Sequence, residues 1–391
     1  MTIHTCPVCE GQELSPFLQR NQVPVHQNLV VTTQNAARSV TRGVLDLVAC
    51  EHCGFIFNRA FDLSRLAYGE DYDNTQSCSA YFDDYLDQLV EDLVVRQGLN
   101  NCTIVEVGCG KGQFLHKLVS FPDANNKGFG FDPSYVGLDT DLDGQLVFRR
   151  CYYDDSCTDV VADVVICRHV IEHVPEPMAL LRSVRMALKQ SPHARVFFET
   201  PCVDWILRNK VVWDFFYEHC SLFTKESLSA AFVKAGFTVE RVEHVFGGQY
   251  LWLEARVTDT VLPAAQSQPE TAALARVYGK DEEHLNRQWR ARLSELKACG
   301  NIALWGAGAK GATFANLVDP EGLLIECVVD LNPNKQGRYI PGTGHPIVAP
   351  AELAQRHVKS AVLMNPNYRV ENLRLLAEAD IKLDLIDWSE Q

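Results

Sequence analysis

The chain has 391 residues, 47% of them hydrophobic and 22% charged, a globular composition that excludes wholesale disorder or a fibrous repeat and leaves room for two or three domains. Fifty acidic against thirty-six basic residues give a formal charge of −14, which repels a phosphate backbone, so no nucleic-acid partner is expected. No apolar run approaches the roughly 20 residues that span a bilayer, and "MTIHTCPVCE" lacks the basic and apolar regions of a secretion signal, so a cytoplasmic protein with no membrane partner is expected.

A cytoplasmic chain keeps its thiols reduced, and four of the fourteen cysteines have informative spacing. Cys6 and Cys9 form one CxxC turn and Cys50 and Cys53 a second; together they make the four-thiolate, closed tetrahedral set of structural zinc. Gly54 suits the tight knuckle of such a site, while His4, His26 and His52 lie outside the paired spacing. "GVLDLVAC" predicts a strand between the two turns. The tyrosine- and aspartate-rich stretch after them reads as irregular. Beyond it, Phe82, Tyr85, Leu86, Leu89, Val90, Leu93 and Val94 fall on one face of a predicted helix.

"CTIVEVGCGKGQFLHKLV" then reads as strand, glycine-rich turn and helix, and "KGFGFDPS" as a second strand ending on Asp132, the outline of a Rossmann-type nucleotide site. A dinucleotide would place a pyrophosphate at that turn. Glu106, in the first strand just before Gly108, would repel it and favours a cationic ligand. Strands and helices continue to alternate through "ADVVIC", "EPMALLRSVRMALKQ", "ARVFFET", "KESLSAAFVKAG" with Thr224 as its cap, "FTVERV" and "QYLWLEARV".

Residues 257–280 are rich in Pro, Ala and Thr and read as a linker; a helix follows, with acids in its first turn, an apolar face of Leu285, Trp289, Leu293 and Leu296, and a stop at Gly300. Strand "NIALW" then runs into "GAGAKG", a G-x-G-x-x-G at Gly306, Gly308 and Gly311, and "LIECVVD" ends on Asp330. Lys310 adds a point cation at a helix start, which favours a phosphate-bearing ligand, and Lys335, Arg338 and Asn367 fall at the expected carboxyl end of the sheet.

"VEVGCGKG", "GFDPS" and "ADVVICRHVIEHVPEP" resemble the motifs of class I methyltransferases that use S-adenosyl-L-methionine, whose sulfonium and ammonium would suit Glu106. That resemblance implies that Gly108 and Gly110 line the methionine end, Asp132 with Pro133 the ribose, Tyr153 or Asp154 the adenine, and Arg168 and His169 the pocket floor; His173 reads either as a site residue or as packing. The whole order, zinc module, methyltransferase core and "GAGAKG" with "NPNKQGRYIPGT", resembles the sugar C-methyltransferases that act on a nucleotide-linked keto-sugar. The fold class expected is α/β: a central Rossmann-like methyltransferase sheet (79–256), an N-terminal zinc-binding module (1–78), and, after the linker, a second Rossmann-like domain (281–391) that binds the nucleotide-sugar.

Methyl transfer to carbon needs a base beside a ketone and a donor for the enolate oxygen. The family carries Tyr-His-Glu-His where this chain has Phe216, Tyr217, Glu218 and His219. The resemblance makes His219 the base, with Glu218, His169 and Tyr72 as further catalytic groups and Tyr217 in the substrate pocket. If the stretch is extended, Tyr217 and His219 share one face and Phe216 and Glu218 the other. Phe216 departs from the family pattern, so transfer to oxygen or nitrogen, or a non-catalytic binding protein, stays as the alternative; Glu106 together with Asp132 argues against the latter.

Overall fold

The computed structural model describes residues 4–29, 31–66, 78–258 and 270–388; Tyr72 lies outside them. Three sheets organise the described residues. In the first, antiparallel strands Leu14–Pro24, Arg42–Cys50 and Ile56–Asn58 are joined by a distant fourth, Ser221–Leu222, which pairs Ser221 with Phe57 and Leu222 with Ile56. "GVLDLVAC" thus forms its predicted strand. It ends on Cys50, where the next turn brings Cys53 beside it.

The second sheet has eight strands and a mainly parallel centre, in which Thr103–Val107 lies between Lys127–Phe131 and Val164–Arg168, with Arg195–Pro201 next outward. Tyr250–Val257 inserts antiparallel between Arg195–Pro201 and Phe237–Val245. The central strands are rich in Val, Ile and Phe because both faces are buried, and their carboxyl ends collect the loops that carry the chemistry. Helix Ala80–Glu91, capped by Ser79 and prolonged by a wider turn over Asp92–Arg96, buries Phe82, Leu86, Val90, Leu93 and Val94 against this sheet, leaving Tyr85 and Leu89 half-buried. Thr224 caps helix Lys225–Lys234, its hydroxyl accepting from the Ser227 amide at 3.0 Å.

The third sheet is fully parallel, ordered Ile347–Val348, Ile325–Val329, Asn301–Trp305, Val358–Leu363, Asp384–Asp387, with helix Ala309–Val318 springing from the glycine turn. A 29-residue helix, Thr271–Cys299, precedes it. It begins ten residues before the acidic turn that the sequence suggested as its start, so 271–280 is helix and not linker. The reason is tertiary: Thr271, Ala272, Ala275 and Tyr278 extend the buried face toward the first sheet.

Arg20 and Trp213 each reach from one unit to another. The Arg20 guanidinium donates to the carbonyls of Phe215 and Val212 and to Glu282 Oε1, each at 2.7 Å. Trp213, fully buried, meets Trp289, Phe314 and Trp388 edge-to-face at 5.1–5.6 Å between ring centroids, wedging the connection between central-sheet strands Arg195–Pro201 and Phe237–Val245 into the third unit.

Candidate active site

The first strand of the central sheet carries Glu106 to its tip, where the chain turns through Gly108 at φ 69°; a Cβ there would lie 2.2 Å from Val170 Cγ2, so only glycine fits. Asp132, at the tip of the neighbouring strand, accepts from the Gly110 amide at 2.9 Å and from the Ser134 amide and hydroxyl, pinning the turn open. Glu106 is buried, and one carboxylate oxygen has no partner among the described residues. Burial pushes it up to about 8, and the charge of Arg168 only partly offsets this. A buried acid with one such oxygen, two residues before a glycine turn, suits a cationic ligand. The Tyr153 ring packs tilted against Phe131 at 4.9 Å between centroids, its hydroxyl without a partner among the described residues, Asp154 accepts from Ser156, and Pro133 is exposed beside Asp132.

Arg168 and His169 leave the next strand together and share Glu199. Arg168 Nε donates to it at 2.7 Å, with its guanidinium over the Phe114 ring, while His169, at φ 54°, lies 3.2 Å from both Glu199 and Glu172. Burial would lower the His169 value, but the Glu199 charge and both hydrogen bonds prevail and raise it to about 9; burial likewise opposes ionised Glu199, yet Arg168 and His169 hold it near 2. Tyr85 completes the cluster by donating to Glu199 at 3.0 Å. His169 is therefore a held cation, not a free base.

Beside this cluster opens a cavity of about 300 Å³ that all three units line: Asn28 from the first, His169, Glu172, His173, Gln249 and Tyr250 from the second, and Gly306, Gly308, Lys310, Asp330 and Lys335 from the third. The segment 216–219 is a tight turn, not an extended strand, with the His219 amide donating to the Phe216 carbonyl at 3.3 Å. The turn sends Phe216, Glu218 and His219 into the cavity together. Tyr217 goes the other way: its hydroxyl meets the Asp62 backbone at 2.8 Å and its ring fills the space above Gly43, so it does not line this cavity, where the sequence reading put it in a substrate pocket. Arg338 and Asn367 are also outside the lining, because the Arg338 backbone pairs with Lys335 and Ile347 while the Asn367 amide donates to the Phe246 carbonyl at 3.0 Å.

Lys310 is on the wall, but its ammonium is held by Asp214 at 2.9 Å and Gln249 at 3.0 Å, linking the third sheet to the second. Lys335, buried, donates to Asn28 at 3.2 Å, and Asp330 accepts from the Ala307 and Asn332 amides at 2.8 Å each. Glu218 accepts from the Gln27 amide at 2.9 Å and faces His26 at 3.6 Å. His219 packs against the Phe216 ring at 4.1 Å and the His173 ring at 4.8 Å; burial first, then the nearby charges of His173, His169 and Lys310, push it well below the ordinary 6.5, so its imidazole is neutral. Sequence reasoning missed Glu172, Gln249, Asp214 and Asn28. Only Glu172, inside "RHVIEHV", carried any local signal.

Outside the lining of this cavity, the four thiols of Cys6, Cys9, Cys50 and Cys53 lie within 4.8 Å of one another, with Cys6 to Cys53 at 3.6 Å and Cys9 to Cys50 at 3.5 Å. Tetrahedral zinc with Zn–S bonds of about 2.3 Å sets sulfurs about 3.8 Å apart. The donor set fits that ion.

Residues 79–242 match the family model of a methyltransferase domain, and 255–380 that of the C-methyltransferase C-terminal domain. The chain is 26% identical over 389 residues to the C-methyltransferase NovU of Streptomyces niveus, across 94% of this chain and 91% of that one. It is 29% identical over 109 residues to the ubiquinone biosynthesis O-methyltransferase of Paraburkholderia xenovorans, across 26% of this chain and 45% of that one. Among solved structures, the 1,6-didemethyltoxoflavin-N1-methyltransferase of Burkholderia thailandensis aligns with 47% of this chain and 83% of its own, at 15% identity and a TM-score of 0.36, too low to add to the fold described above. The two matched domains, and a likeness to a C-methyltransferase that runs nearly end to end, identify the chain as a class I S-adenosylmethionine-dependent methyltransferase that carries the C-methyltransferase C-terminal domain.

Proposed function

We propose that this enzyme methylates a carbon of a nucleotide-linked keto-sugar, with His219 removing the proton beside the ketone. The observation that carries the reading is the turn at 216–219, which puts a neutral imidazole in a cavity also lined by the Gly306–Gly311 nucleotide-type turn. S-adenosylmethionine, when bound, supplies an electrophilic methyl group. Glu106, Gly108, Gly110, Asp132 and Arg168 would hold it, with Glu106 facing its positive end and Asp132 its ribose.

His219 accepts the proton on its unprotonated nitrogen as the substrate's carbon–hydrogen bond breaks; the His169 cation nearby offsets the charge that develops on the substrate oxygen. Glu218, tied to the Gln27 amide, lines the cavity beside His219 and orients the acceptor. Gly306, Gly308, Asp330 and Lys335 receive the nucleotide end. Cys6, Cys9, Cys50 and Cys53 hold a structural zinc outside the reaction path.

Incubation of keto-sugar nucleotides in deuterated water without methyl donor tests the base. Exchange of the proton next to the ketone is expected, and its loss in His219→Asn; exchange that persists in the variant rules His219 out. Phe216 favours a second reading, because the ring it packs against His219 carries no hydroxyl: transfer to a hydroxyl oxygen of a related substrate. That reading predicts no exchange and an O-methyl product by mass spectrometry.

A further inference from the structure

We propose that Glu172, His173 and His219 form a second metal site, open to the cavity, for a borderline divalent transition ion such as Zn²⁺, and that filling it inhibits methyl transfer. One ligand atom from each lies within 4.8 Å of the other two. Bonds of about 2.0–2.2 Å to imidazole nitrogen and carboxylate oxygen bring ligands to roughly 3 Å from one another, so side-chain movements on the order of 1 Å complete the set.

The cluster is held from behind. Ser221 Oγ donates to the Val174 carbonyl at 2.6 Å and Cys220 Sγ to the Glu172 carbonyl at 3.7 Å, locking the turn Ile171–His173 against the segment that carries His219. His169 and Thr200 each engage one Glu172 oxygen, at 3.2 and 3.1 Å. A carboxylate oxygen has two lone pairs, so those bonds orient the ligand without consuming it. Two imidazole nitrogens stand ready: His173 Nδ1 is buried without a partner, and no hydrogen bond engages the His219 ring among the described residues. Three protein ligands facing an open cavity leave room for water or a substrate oxygen, unlike the closed four-thiolate set. Two nitrogens and one carboxylate favour Zn²⁺ or Ni²⁺ over the oxygen-seeking Mg²⁺ and Ca²⁺.

Metal binding at this cluster stands on geometry alone; inhibition rests on the proposed role of His219, whose lone pair the ion would occupy. Protein carrying one zinc per chain is titrated with Zn²⁺ by calorimetry, without acceptor or methyl donor. A second, weaker ion is expected, with affinity lowered at least tenfold in both His173→Asn and Glu172→Gln, while retention of the first zinc shows that each variant is folded. No second ion, or one that binds both variants as tightly, overturns the site. Methyl transfer should fall along the same titration and recover on chelation of the weak ion; a filled site with undiminished transfer overturns the inhibition and, separately, counts against His219 as the base.

Discussion

Glu106 shows how one residue can couple ligand and proton. Its carboxyl is held up to about 8 by burial, so it is protonated near pH 7 in the free protein, and a cationic ligand ionises it. S-adenosylmethionine binding at pH 7 is therefore expected to release about one proton, and affinity to rise with pH until the free enzyme loses that proton unaided, near pH 8. Calorimetry in two buffers of different ionisation enthalpy reads the release directly; Glu106→Gln should abolish it, and equal apparent enthalpies in the wild type would remove Glu106 from the cofactor site. Glu199 works in the opposite sense. Held near 2 by Arg168 and His169, it stabilises the fold above its unfolded value near 4.5, and that contribution disappears as pH falls toward 2.

At the scale of elements, two close approaches hold the first sheet in place. Gly279 sits inside the long helix where a Cβ would meet the Phe17 carbonyl oxygen at 2.0 Å, so this glycine lets the helix lie on the strand Leu14–Pro24. Gly279→Ala gains helix propensity yet should destabilise the protein by about 1–3 kcal/mol through overpacking, measured by denaturant unfolding. A neutral or stabilising result would mean that the helix can move off the strand. The second approach is the pairing of Ser221–Leu222 with Ile56–Asn58, which fastens the segment just after His219 to the cysteine module. Removing the zinc proposed for the four thiolates should for that reason lower activity without any ligand touching substrate. Cys50→Ser is expected to lose the metal and most turnover while retaining S-adenosylmethionine binding, read by metal analysis beside a cofactor titration; full turnover in metal-free protein would separate the module from the site.

At the scale of the molecule, the cavity exists because three units meet, and Trp213 is the wedge among them. Its truncation to alanine removes three aromatic edges at once and should cost about 3–5 kcal/mol, concentrated on the docking of the third sheet. Weakened acceptor binding with unchanged S-adenosylmethionine affinity is the expected signature. Loss of both would place Trp213 in the stability of the central sheet instead.

The sequence by itself determined the local chemistry: two CxxC turns, the Glu106 glycine turn and its Asp132 partner, the "GAGAKG" strand-turn-helix, and the apolar helix from Phe82 to Val94. Each is fixed by backbone geometry or periodicity within a few residues, which a sequence displays. Only the tertiary structure decided which way residues 216–219 point, because a turn and a strand place Tyr217 on opposite sides and the space above Gly43 settles the choice. It likewise decided that the long helix starts at Thr271, that Lys310 is held by Asp214 and Gln249, and that Glu172 comes within 4.8 Å of His219. These outcomes depend on partners tens to hundreds of residues away, and burial against such partners outweighs the local signals of charge and capping that a sequence shows.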